Sequence, residues 1–405
     1  MGPKLLKAFP AFKHIYYRYY FSGQLVSLIG TWLQNIAQSW LVLQLTHSAF
    51  MVGLVSALGF LPVLFLGLLG GAIVDRFNTR HVLIFTQIAS LLLALGLGIL
   101  AGIGLVNVWI VATFALLLGV VNSLDAPARQ SFTIEIVGRE DLSSAIALNM
   151  GVFNSARVIG PALAGLLIAT VGNSGAFILN GLSFLGPIIA LYLMKINNHP
   201  ANDHEHPIQA IKAGIKYAYN HPFLKSLLIF SAVTSIFGFS YSTLLPVVIE
   251  QVFHKGATEL GILFSAAGIG ALIATMMLQL FIKKYTMENI IVCSSLLFST
   301  FIILFSFTSN FYLALVTLFF ASMSLTTQMA LTNTTVQHSA ENALRGRIMS
   351  LFTLSFMGMF PLGSFQIGLI AEHFGAPLAI RLSASVVFIS AIILYFSFKK
   401  TRLKS

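Results

Sequence analysis

The chain has 405 residues, of which 57% are hydrophobic and only 9% are charged, and its mean hydropathy is +0.89. A soluble domain carries about 25% charged residues, so this chain could not cover its surface in water. A soluble enzyme, a disordered chain and a nucleic-acid-binding domain are therefore excluded as leading classes, and the single cysteine, Cys293, excludes an intramolecular disulfide or a cysteine-rich metal site.

A bilayer core about 30 Å thick needs about 20 apolar residues per helix. The sequence predicts an all-α integral membrane protein with twelve such spans. Residues 1–18 are basic and aromatic and read as a cytoplasmic interfacial segment, with a helix over 5–20 leading into the first span. Nothing in them has the pattern of a cleaved signal peptide. The first six spans cover roughly 19–45, 51–74, 82–104, 107–128, 146–171 and 174–195. A linker follows at 196–222. Its first half carries His199, Asp203, His204, Glu205 and His206, too loosely placed in a solvated stretch to predict a metal site; no metal and no other cofactor is expected. Its second half spaces Ile208, Ile211 and Ile215 on one face with Lys212 and Lys216, which predicts an amphipathic helix on the membrane surface. The second six spans, at roughly 223–251, 259–282, 289–308, 311–336, 348–371 and 376–398, fill 223–398, and 399–405 is a basic tail.

Of the 23 lysines and arginines, all but Lys255, Arg157 and Arg381 fall at one set of span ends. By the positive-inside rule that set is cytoplasmic, which places both termini inside. The net charge of +11 is thus a topology signal with some attraction to anionic lipid; no nucleic-acid partner is expected.

The chain also repeats itself. Pro161 and the turn from Gly172 to Gly175 recur as Pro361 and Gly375, close to half the chain length away. Two parallel six-span halves, 19–195 and 223–398, are the layout of a rocker-type secondary transporter whose site lies between them.

Several stretches now carry a resemblance. Gly71-Ala-Ile-Val-Asp75-Arg76-Phe-Asn78-Thr79-Arg80, between spans 2 and 3, resembles the signature loop of the major facilitator superfamily. Gly160-Pro161-Ala-Leu-Ala164-Gly165 resembles the span 5 signature of that superfamily's exporters. Trp40-Leu-Val-Leu-Gln-Leu-Thr46, Asp125-Ala-Pro127-Ala-Arg129-Gln130, Asn154-Ser-Ala-Arg157 and Arg345-Gly346-Arg347 are similar to the branch that contains the siderophore (enterobactin) exporter. The resemblance implies a bacterial inner-membrane exporter of a small molecule, working as a monomer by alternating access, with protons as the coupling partner.

The loop departs from its pattern at Asn78 and Thr79, where glycine and a second basic residue are usual; asparagine tolerates positive φ better than most residues, so the turn is expected to survive. The resemblance gives Gly71, Asp75, Arg76, Arg80 and Arg129 gating roles: the Asp75 carboxylate would face the positive end of a neighbouring helix, with the arginines around it, although Arg76 and Arg80 also suffice as topology determinants. Asp125 and Arg129 share a helical face, either as a proton-responsive pair or as an ion pair fixing the cytoplasmic end of span 4, whose last turn Pro127 would weaken. Gly160, Pro161 and Gly165 let span 5 approach span 8 closely and bend there.

An arginine at mid-span costs about 2.5–3.5 kcal/mol on insertion scales, so Arg157 should face the bundle interior or a wet cavity. It is the first candidate for holding an anionic or catechol-like group, with Asn154 one turn away; the alternative is a structural arginine bonded to carbonyls. In a transporter of the implied build, spans 1, 4, 7 and 10 line the cavity. They offer Gln34, Asn35 and Gln38, then Asn122, then Tyr241, then Gln328 and Asn333, a lining suited to a polar-aromatic or amphipathic solute; any of these groups could instead bond a neighbouring helix.

The chain has no glycine-lysine phosphate loop, no HExxH and no GxSxG, so ATP hydrolysis and intramembrane hydrolysis have no support and no enzyme is expected. Siderophore export by proton antiport leads. Broader drug efflux comes second, and a non-transporting receptor or assembly factor on a transporter fold is the reading from another class. No acidic residue is plainly mid-span, with Asp125, Glu250 and Glu372 all near span ends, so a uniport-like or substrate-charge-coupled mechanism stays open beside antiport.

Overall fold

The computed structural model describes residues 9–74, 76–194, 207–341 and 344–402. Ten of its helical stretches are long and apolar enough to cross a membrane. One of them, Leu142–Leu193, spans 52 residues and folds back at Gly172, whose φ of 72° suits only glycine; it supplies two crossings. A further helix, Ile15–Thr46, is long enough but diluted by glutamines, serines and tyrosines. Together they give the twelve rods that the hydropathy predicts.

In chain order the helices are α1 (Ile15–Thr46), α2 (Ala49–Val74), α3 (Thr79–Gly102), α4 (Val108–Val137), α5 (Leu142–Ser183, two arms meeting at Gly172) and α6 (Leu185–Leu193), which continues the second arm. The linker helix α7 (Pro207–Asn220) follows. The next rod is α8 (Pro222–Val233), a π turn, a 3-10 turn over Phe239–Leu244, and α9 (Leu245–Gln251). Then come α10 (Ala257–Lys284), α11 (Met287–Phe307), α12 (Phe311–Ser339), α13 (Arg345–Thr353), a second π turn, α14 (Phe360–Phe374) and α15 (Ala376–Arg402). The internal repeat is visible at the reversals: Gly375 has φ 82°, the counterpart of Gly172.

Capping explains several boundaries. Asn107 and Asn310 accept backbone N–H bonds at the starts of α4 and α12, as short polar side chains do at helix N-termini. Asn78 does the same for α3, accepting from His81 at 3.3 Å with φ −64°. The loop therefore needs no positive φ at this position: Asn78 serves as a cap and not as a glycine substitute.

Two expectations change. Residues 10–13 form one 3-10 turn, and α1 starts at Ile15. Instead of an independent surface helix, this segment tucks against the start of α5, where His14 lies 2.9 Å from Asp141 and the Tyr17 hydroxyl donates to the Ala145 carbonyl and to Asn149. Helix α4 passes straight through Pro127 to Val137, so Asp125 lies well inside a rod and not at its end. Helix α7 forms as its periodicity predicts, and its Gly214 packs against α13 at Arg347 and Leu351. The five acidic and histidine residues of the linker, and Asp75, lie outside the described residues, as do residues 1–8 and 403–405.

The two halves meet along two seams, α2 against α14 and the first arm of α5 against α10. Glycines set the spacing. A Cβ on Gly53 would come within 2.9 Å of the Gly368 Cα, and one on Gly165 within 2.9 Å of the Thr258 Cα. Without these side chains the backbones meet at dispersion distance, the main attraction available between helices in lipid.

Candidate functional site

The α5–α10 seam starts at the lysine-poor end and stops at Arg157. Thr258 donates to the Gly165 carbonyl at 3.4 Å, and Ser265 to the Val158 carbonyl at 2.9 Å. A Cβ on Gly268 would lie 2.9 Å from the Arg157 carbonyl oxygen. Two turns further toward the lysine-rich end, Gly151 has open space beside it, and Met150 and Met276 are exposed at 59% and 73%. The close α5–α10 contacts thus run from Gly165 to the Arg157 carbonyl.

Arg157 is half-buried, and among the described residues no carboxylate lies within ion-pair distance of it. The ionisable group close enough to interact with its charge is Tyr241, buried at 4% exposure in the 3-10 turn between α8 and α9. A half-buried cation with no carboxylate partner among the described residues makes its surroundings electropositive, and the low dielectric around it strengthens its pull on an anion. Beside it, Trp32 packs onto Gly160 and meets Phe153 edge to face at 6.1 Å. Asn154 is half-buried and bonds the Met150 carbonyl of its own helix.

The other expected lining residues divide in two. Asn35 and Asn122 are exposed, and Gln38 and Asn333 are half-buried. Asn35 lies nine residues from the exposed Val26, roughly half a turn round the helix at about 100° per residue, so it faces away from that surface. Asn122 shares a stripe with exposed Ala126 and Gln130. Gln34 does not join them. It is 4% exposed and accepts a hydrogen bond from Asn180 in the second arm of α5, so it ties α1 to its own half. Gln328 is 1% exposed, with Nε2 at 3.4 Å from Thr332 one turn on. Neither Gln34, Gln328 nor the buried Tyr241 lines an open surface.

Asp125 and Arg129 are paired as their spacing predicts, but inside the first half and not at a helix end. Asp125 is 6% exposed; Thr86 and Gln87 donate to one carboxylate oxygen at 2.7 and 2.8 Å, and Arg129 donates to the other. Every oxygen of the carboxylate is engaged, which is what a buried charge requires. The sequence reading missed these α3 partners. The polar run from Thr86 to Ser90 in an otherwise apolar span was the available signal.

Of the loop residues, Gly71 has nothing near its Cα substituent position and Arg76 is exposed. Arg80 donates to the carbonyls of Leu191 and Tyr192 at the end of α6, a favourable place for a cation at a helix C-terminus. Arg80 and Arg129 are thus occupied within the first half. Arg381 likewise caps α11 at Ser306 and lies 3.5 Å from the Phe307 ring centroid, a cation–π contact. Arg157, half-buried at mid-span, has no carboxylate in ion-pair distance among the described residues.

Comparison with known proteins agrees with this architecture. A family described as transmembrane secretion effector matches residues 7–404. The staphyloferrin A transporter of Staphylococcus aureus is 26% identical over 392 residues, 96% of this chain and 97% of that protein. The multidrug efflux pump Tap of Mycolicibacterium fortuitum is 26% identical over 356 residues, 85% of this chain and 87% of its own. The enterobactin exporter EntS of Shigella flexneri is 28% identical over 277 residues, 67% of this chain and 63% of its own. Among solved structures, the peptide-transporter-family protein PepTSo aligns with TM-score 0.78 at 13% identity, over 97% of this chain and 99% of that one. A bacterial homologue of the human lysosomal transporter Spinster, inward-facing and occupied, aligns with TM-score 0.76 at 12% identity, over 95% and 96%. At these identities the structures share the fold.

Proposed function

We propose that this chain, which belongs to the transmembrane secretion effector family within the major facilitator superfamily, exports an anionic iron-chelating solute by alternating access of its two halves. Its relatives are membrane transporters and not enzymes. The observation that carries the substrate class is Arg157, half-buried at mid-span with no carboxylate in ion-pair distance among the described residues. An arginine so placed is expensive to keep in a membrane unless a ligand or water uses it. Its planar fork suits carboxylate or catecholate oxygens. The aromatic pair Trp32 and Phe153 offers an apolar wall, and Asn35, Asn122, Asn154 and Asn333 offer amide contacts.

The names of the S. aureus and S. flexneri relatives support a siderophore as the cargo. The name of the M. fortuitum relative supports a second reading, broader efflux of amphipathic compounds. In this reading the lysine-rich ends are cytoplasmic, the termini are inside a bacterial inner membrane, the chain works as a monomer, and the cavity between the halves is open to the cytoplasm. Export against a gradient needs an energy source, and proton antiport supplies it. Among the described residues of the first half, Asp125, paired with Arg129, is the buried carboxylate we assign to that role.

The test is flux in inside-out vesicles. Uptake of a carboxylate or catecholate siderophore should fall at least about tenfold in Arg157→Leu, the loss of one charge-assisted contact, with protein level unchanged. It should also fall when the pH gradient is collapsed. Full activity in Arg157→Leu would remove the arginine from the site, and flux of cationic drugs with no anion transport would favour the second reading. No flux of any solute would support the receptor alternative.

A further inference from the structure

At the lysine-poor end, two carboxylates of the second half reach across to one turn of the first half. Glu372, near the end of α14, accepts the Ser48 hydroxyl at 2.9 Å and the Phe50 backbone N–H at 2.9 Å, both at the start of α2. Ser48 is also the cap of that helix, since its Oγ accepts the Met51 N–H at 3.1 Å. One residue earlier, His47 holds φ 49° and presents Nδ1 at 3.4 Å from a Glu250 oxygen at the end of α9. The turn between α1 and α2 is therefore gripped from both sides by the opposite half.

These contacts have three properties that packing alone lacks. They are polar and directional. They place a carboxylate on the positive N-terminus of α2, where a helix favours negative charge. Glu372 and His47 are exposed and Glu250 is half-buried, so on release the Glu372 carboxylate returns to water at little cost. The seam directly below, where Gly53 meets Gly368 and Phe50 meets Phe365 at 5.6 Å, is apolar and glycine-spaced. It can part only after the grip above it opens.

We infer that Glu372, seconded by Glu250, is a reversible clasp on the α1–α2 turn that holds the lysine-poor mouth shut, and that its release is the first step toward opening on that side. The inference rests on the alternating-access reading. Neither carboxylate lies in ion-pair distance of Arg157, so both act as positioning residues: they set the balance between the two open states and make no contact with cargo.

The test reads conformation directly, on the full chain in lipid nanodiscs. In a Cys293→Ser background, spin labels are placed at Leu105→Cys and Ser309→Cys. Both are exposed and sit on the lysine-poor loops of opposite halves. Glu372→Gln should add a longer-distance population, and Glu250→Gln/Glu372→Gln should raise the open-to-closed ratio about tenfold, the loss of two carboxylate contacts. Ser48→Ala, which keeps the Phe50 N–H donor, should shift it less, and it carries the test if the glutamate variants express poorly. An unchanged distance distribution in the double variant overturns the clasp. A shifted distribution with no flux of any solute leaves the clasp standing and overturns the transport reading, so the two fail separately.

Discussion

The carbonyl of Pro161 lies directly over the α-carbon of Gly261, so close that any side chain at Gly261 would overlap it. Backbone meets backbone there, with the Gly165 Cα and N also within 3.0 Å of a Cβ at that position. Pro161 and Gly165 of the first arm of α5 thus have a partner on α10, whereas Gly160, expected there too, packs against Trp32 and Ile29 of α1. Overpacking such a contact costs about 1–3 kcal/mol. Gly261→Val is expected to fold but to disfavour the state closed at the lysine-poor end. The same distance pair across the mouth should show a longer mean, and flux should fall. A wild-type distance distribution would mean that the seam yields elsewhere.

Gln34 is expected to matter for stability and not for cargo choice. Gln34→Leu leaves the buried Asn180 amide without its acceptor, a loss of about 1–3 kcal/mol. Thermal unfolding in detergent should move down, and Gln34→Leu/Asn180→Leu should recover part of the loss because both polar groups are then gone. Flux per folded molecule, compared among several solutes, should keep its rank order.

Removal of one member of the Asp125–Arg129 pair is expected to be severe. Asp125→Ala would leave the guanidinium enclosed without its carboxylate, and breaking a buried pair costs about 3–5 kcal/mol. Replacing both, as Asp125→Leu/Arg129→Met, should restore much of the stability. The same double variant tests coupling: if its flux still responds to the pH gradient, Asp125 does not carry the proton.

Gly172→Ala should be destabilising without touching Arg157. Its φ of 72° with ψ 178° is a region that side chains rarely enter, at a cost of order 1–3 kcal/mol. Gly375→Ala, at φ 82° and ψ 150°, should behave alike, because it makes the same reversal in the second half. Unequal effects would show that the two hinges are loaded differently.

How far the site was legible follows from the kind of signal each residue gives. Arg157 stood out because a cation in an apolar run is costly wherever the helix rotates, and the structure leaves it half-buried at mid-span. Gln34 and Gln38 looked equivalent, one turn apart, yet only Gln34 meets Asn180, which lies 146 positions later in the chain. No local pattern encodes that. Glu250 and Glu372 gave no signal beyond being acidic at span ends; their importance comes from reaching the α1–α2 turn.

The sequence by itself determined the number of crossings, the polarity of their ends, the repeat and the two glycine reversals. Hydropathy, lysine placement and the φ restriction of glycine act within a single segment, and a segment carries them wherever it is put. Only the tertiary structure decided which helices form the seams between the halves, which amides are spent on helix pairing, and that Asp125 is enclosed within a half. Those outcomes depend on the rotation and tilt of each rod against its neighbours, fixed by backbone contacts between residues far apart in the chain.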